Sequence, residues 1–149
     1  MKRLLSIIFI SFMILSGCED IDDHYSSIEK DFISDIVNDT DLEYIDFKGH
    51  SDNWAVVYIA YRLKGADNFK SSLIAKYIGS KPIPTGEISY EYDADSDVAS
   101  GISHLRKEIY LSVNSGTVGN NELMPMKKTK VKLQIGWNEK SDFIELESK

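Results

Sequence analysis

The sequence predicts a mainly β fold, a small antiparallel β-sandwich of immunoglobulin-like size with about seven strands. Three observations carry this prediction. Runs rich in aromatic and β-branched residues recur every 8 to 16 residues or so, roughly the spacing of a sandwich. Turn-forming Gly, Asn, Asp and Pro residues separate them. Several runs alternate apolar and polar, the two-residue period of a half-buried strand.

The chain opens with MKRLLSIIFISFMILSGC. Lys2 and Arg3 precede an apolar run, Leu4–Leu15, broken only by Ser6 and Ser11. A positive start and a short apolar segment mark a secretory signal peptide. The run is shorter than the ~20 apolar residues that span a bilayer. Glu19, Asp20, Asp22 and Asp23 stop it from extending. Leu15-Ser16-Gly17-Cys18 matches, at every position, the lipobox of bacterial lipoproteins, Leu-(Ala/Ser)-(Gly/Ala)-Cys. The resemblance implies cleavage between Gly17 and Cys18, thioether lipidation of Cys18 and acyl groups such as palmitate. Two acyl chains, at ~0.8 kcal/mol per buried methylene, anchor a protein where one does not. Cys18 is the only cysteine, so the fold has no disulfide. Lipidation also removes the anomaly of a free thiol in an exported protein.

From Cys18 onward the chain carries 15 bases and 24 acids, a formal charge of −9. The imbalance is local. Glu19–Thr40 holds eight acids and one base, whereas Asp41–Lys149 holds 16 acids and 14 bases. An acidic chain lacks the basic footprint that phosphate backbones need, so nucleic acid is not an expected partner.

Residues 18–40 read as an acidic tether. Within it Ile28, Phe32, Ile33 and Ile36 form a short amphipathic face over Ser27–Val37. Ser26 or Ser27 is placed to cap such a helix and Asn38-Asp39 to end it. Two readings stay open: a short helix docked on the domain, or a flexible stalk with transient helicity. Glu19–Tyr25 is expected to be disordered.

Residues 41–149 read as the β domain. Leu42–Phe47 is a short, partly alternating strand. Asp52–Lys64 is apolar on both faces, which predicts a central strand covered on both sides. Gly65–Asn68 turns the chain into Lys70–Ile78, completing a hairpin. Gly79–Pro82 turns it again. Gly86–Tyr92 alternates well, Asp93–Gly101 reads as a polar loop, and His104–Val113 holds a strand, best at Glu108–Val113. Asn114–Met126 reads as a long loop. Thr129–Trp137 is the cleanest strand, with Val131, Leu133, Ile135 and Trp137 on one face. After a tight turn at Asn138–Lys140, Asp142–Leu146 is the last strand.

Asn53-Trp54, Tyr77-Ile78-Gly79, Ser100-Gly101 and Ile135–Lys140 occur together with the lipobox and acidic spacer. In this combination the chain resembles the small lipoproteins of Bacillus-type Gram-positive bacteria. The commoner member of that group has Gly after Asn in the last turn; this chain has Glu139. The resemblance implies a β-sandwich lipoprotein on the outer face of the cytoplasmic membrane, and it brings no active site with it.

Asp93, Asp95 and Asp97 have the one-three-five spacing of a calcium loop, but Val98 and His104 stand where an EF-hand needs Gly and Glu. A weak calcium contact competes there with a solvated acidic turn. Lys127, Lys128, Lys130 and Lys132 form a basic cluster. It reads either as a contact for anionic head groups or wall polymers, or as a solvated face that discourages edge pairing. His24, His50 and His104 lack ligand spacing for zinc. No Gly-x-Ser-x-Gly elbow is present, and Gly116–Gly119 lacks the Gly-Lys-Ser/Thr ending of a phosphate loop. Trp54 and Trp137 are either core anchors or an exposed platform for a sugar or peptide.

These readings predict a lipid-anchored extracytoplasmic protein, attached to the cell membrane through Cys18. It would serve as a non-catalytic binding or accessory domain of the cell envelope, with no cofactor and with an envelope protein or wall component as partner. The alternative is a small solute or calcium-binding lipoprotein.

Overall fold

The computed structural model describes residues 20–118 and 123–149. Eight strands form two antiparallel sheets: β1 (Leu42–His50), β2 (Trp54–Leu63), β3 (Phe69–Tyr77), β4 (Ile88–Asp93), β5 (Val98–Ser103), β6 (Tyr110–Val118), β7 (Val131–Trp137) and β8 (Lys140–Leu146). One sheet has the order β1-β2-β3-β6 and the other β5-β4-β7-β8. Their facing surfaces bury Phe47, Trp54, Tyr58, Leu73, Tyr92, Leu111, Leu133 and Ile144 in one core. The mainly β sandwich expected from the sequence is therefore the observed fold, with one more strand.

Strand β2 is buried from Trp54 to Ala60, and the reason is a third layer. Trp54, Val56 and Tyr58 point between the sheets. Ala55, Val57 and Ile59 point the other way, onto Tyr25, Ile28 and Ile33 of an N-terminal helix. By contrast β7 alternates buried and exposed residues along its length, because the outer face of its sheet is open to water.

The helical segment comprises α1 (Ile21–Ile28), a π-helical turn (Glu29–Ile33) and α2 (Ser34–Asn38). Its hydrophobic residues explain the π turn. Ile28 and Ile33 are five apart, which a regular α-helix would place on different faces, and i→i+5 bonding brings residues at that spacing nearly into line. Both side chains are then fully buried on the sheet. Ser27 accepts from Lys76 Nζ at 3.1 Å and from Tyr110 Oη at 3.2 Å, while Lys48 pairs with Glu29. Thus the segment that its charge marks as a tether is docked on the sheet. It is also helical from Ile21, not from Ser27, because Ile21 and Tyr25 extend the Ile28 face toward the N-terminus at i−7 and i−3. Glu19 lies outside the described residues.

Three other boundaries depart from expectation. Val98–Ser103 is an edge strand that begins inside the predicted polar loop Asp93–Gly101 and runs past its end, so the loop contracts to Ala94–Asp97. Its inward positions are the small residues Ala99 and Gly101, lying against β4, so it lacks the hydrophobic alternation that marks a strand. Strand β6 starts at Tyr110 and runs on through Asn114–Val118, where the composition predicts a loop. Those polar residues are held by the β3 ladder and by Ser72 Oγ donating to Asn114 Oδ1 at 2.8 Å. Strand β1 extends to His50.

The two sheets meet along one side. Lys48 and Glu147 exchange backbone bonds of 2.9 and 3.1 Å, linking β1 to the end of β8. Gly49 permits this approach, since a Cβ there would lie 2.5 Å from the Glu145 carbonyl oxygen. The other side, formed by β5 and β6, is not bridged in this way. The last hairpin turns on Asn138 (φ 44°) and Glu139 (φ 62°), the two left-handed positions of a type I′ turn. Glu139 thus holds a conformation that Gly would adopt without strain.

Candidate functional site

The most concentrated polar group in the core surrounds Asp97, at the end of the β4–β5 turn. Ala94 N–H donates to the Asp97 carbonyl at 3.0 Å, closing that turn. The side chain is thereby directed between the sheets and is 5 % exposed. Tyr58 Oη donates to Oδ2 at 2.8 Å and Tyr92 Oη at 3.1 Å; Ser71 Oγ also donates to Oδ2. Because the Ser71 proton is directed at the carboxylate, the 2.5 Å contact between Ser71 Oγ and Ser115 Oγ has Ser115 as donor. The hydroxyls come from β2, β3, β4 and β6, so the carboxylate links both sheets from inside.

Burial, reinforced by the Asp97 charge, drives the Tyr58 phenol far above its ordinary value. Burial also pushes Tyr92 up to about 12, with the neighbouring Ser71 hydroxyl opposing the rise and the Asp97 charge adding to it. Both phenols stay protonated in the folded protein at pH values where they ionise in the unfolded chain. The folded state then holds more protons, so stability falls as pH rises above about 10. The slope approaches about 1.4 kcal/mol per pH unit for each phenol. Urea unfolding between pH 9 and about 12 is expected to show this loss, and Tyr92→Phe to make the slope shallower by one phenol's share. An unchanged slope in Tyr92→Phe would contradict the assignment.

The three aspartates at calcium-loop spacing, Asp93, Asp95 and Asp97, do not converge. Asp93 is exposed and accepts from Asp95 N–H at 2.9 Å, Asp95 is exposed in the left-handed region (φ 63°), and Asp97 is turned inward. Among the described residues, no group of three or more His, Cys, Asp or Glu side chains is arranged to hold a metal ion. His24 is buried on α1, His50 is exposed at the end of β1 with Nδ1 3.3 Å from Tyr25 Oη, and His104 is exposed after β5.

Of the lysine cluster, Lys130 pairs with Glu145 at 2.5 Å and Glu147 at 2.9 Å, and those hydrogen bonds hold it above the ordinary lysine range. Lys132 sits between Asp93 and Glu145 across the ladder, while Lys127 and Lys128 are exposed in the turn before β7. Positive charge is therefore interleaved with acid. The outer face of the β5-β4-β7-β8 sheet carries an open concavity of about 390 Å³ lined by Glu91, Asp93, Lys132, Gln134, Phe143 and Glu145. Phe143 stands 76 % exposed there.

Trp54 and Trp137 are buried, edge-to-face at 5.5 Å, with Tyr77 5.2 Å from Trp54. They are core anchors, not an exposed platform. Beside them the Asn53 and Gly79 motifs meet. Asp142 Oδ2 accepts from Ser51 Oγ at 2.6 Å and Asn53 Nδ2 at 3.1 Å, and Ile78 N–H donates to the Asn53 carbonyl at 2.8 Å. A Cβ on Gly79 would lie 2.6 Å from Asn53 Oδ1 and 2.7 Å from Tyr77 Oη, so a larger residue there would have to displace those side chains. Gly116–Val118 belongs to β6, and Gly119 lies outside the described residues, as do Gly17 and Cys18.

Sequence reasoning missed the Asp97 hydroxyl cluster and the Ser51–Asn53–Asp142 lock. Only Ser71, a polar residue at an inward position of an apolar strand, signalled the first. No family model, curated protein or solved structure matches the chain.

Proposed function

We propose that this protein is a lipid-anchored extracytoplasmic lipoprotein that acts as a non-catalytic binding or accessory domain of the cell envelope. The observation that carries the proposal is the Leu15–Cys18 lipobox behind a charged, short apolar leader. The lipobox points to attachment at the cell membrane through Cys18, and the likeness to Bacillus-type lipoproteins points to its outer face. Two features of the domain support a binding role over catalysis. The buried Asp97 cluster and the Ser51–Asn53–Asp142 lock spend their hydrogen bonds on joining strands to one another. The exposed sheet face, with Phe143 amid alternating charges, is the kind of surface that contacts an envelope protein or wall component.

Cys18→Ala tests the proposal. The variant is expected to lose acylation and to leave the membrane fraction, or to remain there only as the uncleaved precursor. Normal processing and membrane retention of Cys18→Ala would overturn it. Gentle crosslinking of the wild-type protein on intact membranes is expected to capture a specific envelope partner.

A further inference from the structure

We infer that the β1–β8 edge of the sandwich is a membrane-facing surface, held beside the lipid bilayer because the linker is too short for the domain to stand off. This rests on the lipid-anchor reading and takes it one step further.

Chain length sets how far the domain can stand from its anchor. Helix α1 starts at Ile21 and is docked through Tyr25 and Ile28. Only Glu19 and Asp20 separate it from Cys18. An extended chain spans at most ~3.3–3.6 Å per residue, so three steps give a reach of about 11 Å. Ile21 is thus confined to about 11 Å from the acylated residue. Read from charge alone, residues 18–40 are a long stalk; the docked helix reduces the stalk to two residues.

What lies around Ile21 then faces the bilayer. A concavity of about 350 Å³ brings Ile21 together with Lys48 and His50 of β1, and with Glu147 and Lys149 of the C-terminal tail. These groups belong to the bridged edge, where β1 and the end of β8 exchange backbone bonds. Strands β5 and β6 end their sheets on the opposite side. Neighbouring strands are ~4.8 Å apart, so three intervals place that far edge about 14 Å beyond the near one. The charges on the near edge are mixed, with Asp22, Glu145 and Glu147 beside Lys48 and Lys149. Its position therefore follows from the covalent tether and not from attraction to anionic lipid. The β5–β6 edge and the Ala94–Asp97 turn project away from the membrane.

The test uses the full-length acylated protein on phosphatidylcholine vesicles bearing a nitroxide on the head group. Acylation consumes the only native thiol, so an introduced cysteine takes a fluorophore at one site. Lys149→Cys reports the near edge, and Val98→Cys, 64 % exposed on β5, reports the far one. Quenching is expected to be several-fold stronger at position 149. Equal quenching, or stronger quenching at 98, would overturn the inference. A Gly/Ser insert of about 20 residues after Asp20, with a root-mean-square span of about 25 Å, is expected to abolish the difference. A difference that survives the insert also overturns the inference, since the tether would not be its cause. Mass analysis of the same preparations separates the two ideas: Cys18 without acyl groups removes the anchor and this orientation together, whereas acylated protein with equal quenching removes only the orientation.

Discussion

Asp97→Ala is expected to lower the unfolding free energy by about 3 kcal/mol. The substitution removes the acceptor shared by Tyr58, Tyr92 and Ser71, three hydroxyls on three strands. A buried donor left without a partner costs about 1–3 kcal/mol, and the total here is less than a simple sum because Ser71 and Ser115 can bond to each other. The midpoint of urea unfolding checks the value. A loss below about 0.5 kcal/mol, the range of an ordinary surface change, would show that the cluster does not hold the sheets. The same substitution in a Tyr58→Phe, Tyr92→Phe, Ser71→Ala background is expected to cost far less, because acceptor and donors are then absent together.

Trp54→Ala is expected to cost about 4 kcal/mol, in the range for emptying a large aromatic site in a packed core. Trp54 is fully buried and packs edge-on against both Tyr77 and Trp137. It also begins β2, directly after the turn that Ser51 and Asn53 fasten to Asp142. Truncation therefore opens a cavity where the two sheets and this lock meet. Trp54→Phe is expected to cost much less, since it keeps a ring and removes an indole N–H with no hydrogen-bond partner among the described residues. Thermal or urea unfolding separates the two. A Trp54→Ala protein within 1 kcal/mol or so of wild type, well under the usual range of about 3–5, would contradict the core assignment.

Much of the sandwich was legible because its central strands state their surroundings. Apolar residues on both faces of Asp52–Lys64 forecast cover on both sides, and the docked helix supplies the second cover. The strict alternation of Thr129–Trp137 forecast one wet face. Edge strands were less legible. Val98–Ser103 has Ala99 and Gly101 turned inward, and Asn114–Val118 is polar, so pairing with neighbours, not composition, makes them strands. The helix start was obscured by the acids at 20, 22 and 23, although Ile21 and Tyr25 continued its apolar face.

The site was harder to read than the fold. Asp93, Asp95 and Asp97 form a regular spacing, and spacing alone treats them as equivalent. The turn separates them by directing Asp97 inward, to hydroxyls 26 and 39 residues away in sequence. Nothing local distinguishes Asp97 from its neighbours. The proposed lipobox, by contrast, is a motif of four adjacent residues, Leu15–Cys18, so contiguous sequence is enough to propose it.

The lipid anchor is tested most directly by intact-mass spectrometry of the N-terminal peptide of membrane-extracted protein. The expected species begins at Cys18 and carries a diacylglyceryl group in thioether linkage, with the mass of its acyl chains. A peptide that retains residues 1–17, or one that begins elsewhere and leaves the Cys18 thiol free, would contradict the anchor and the membrane-bound function built on it.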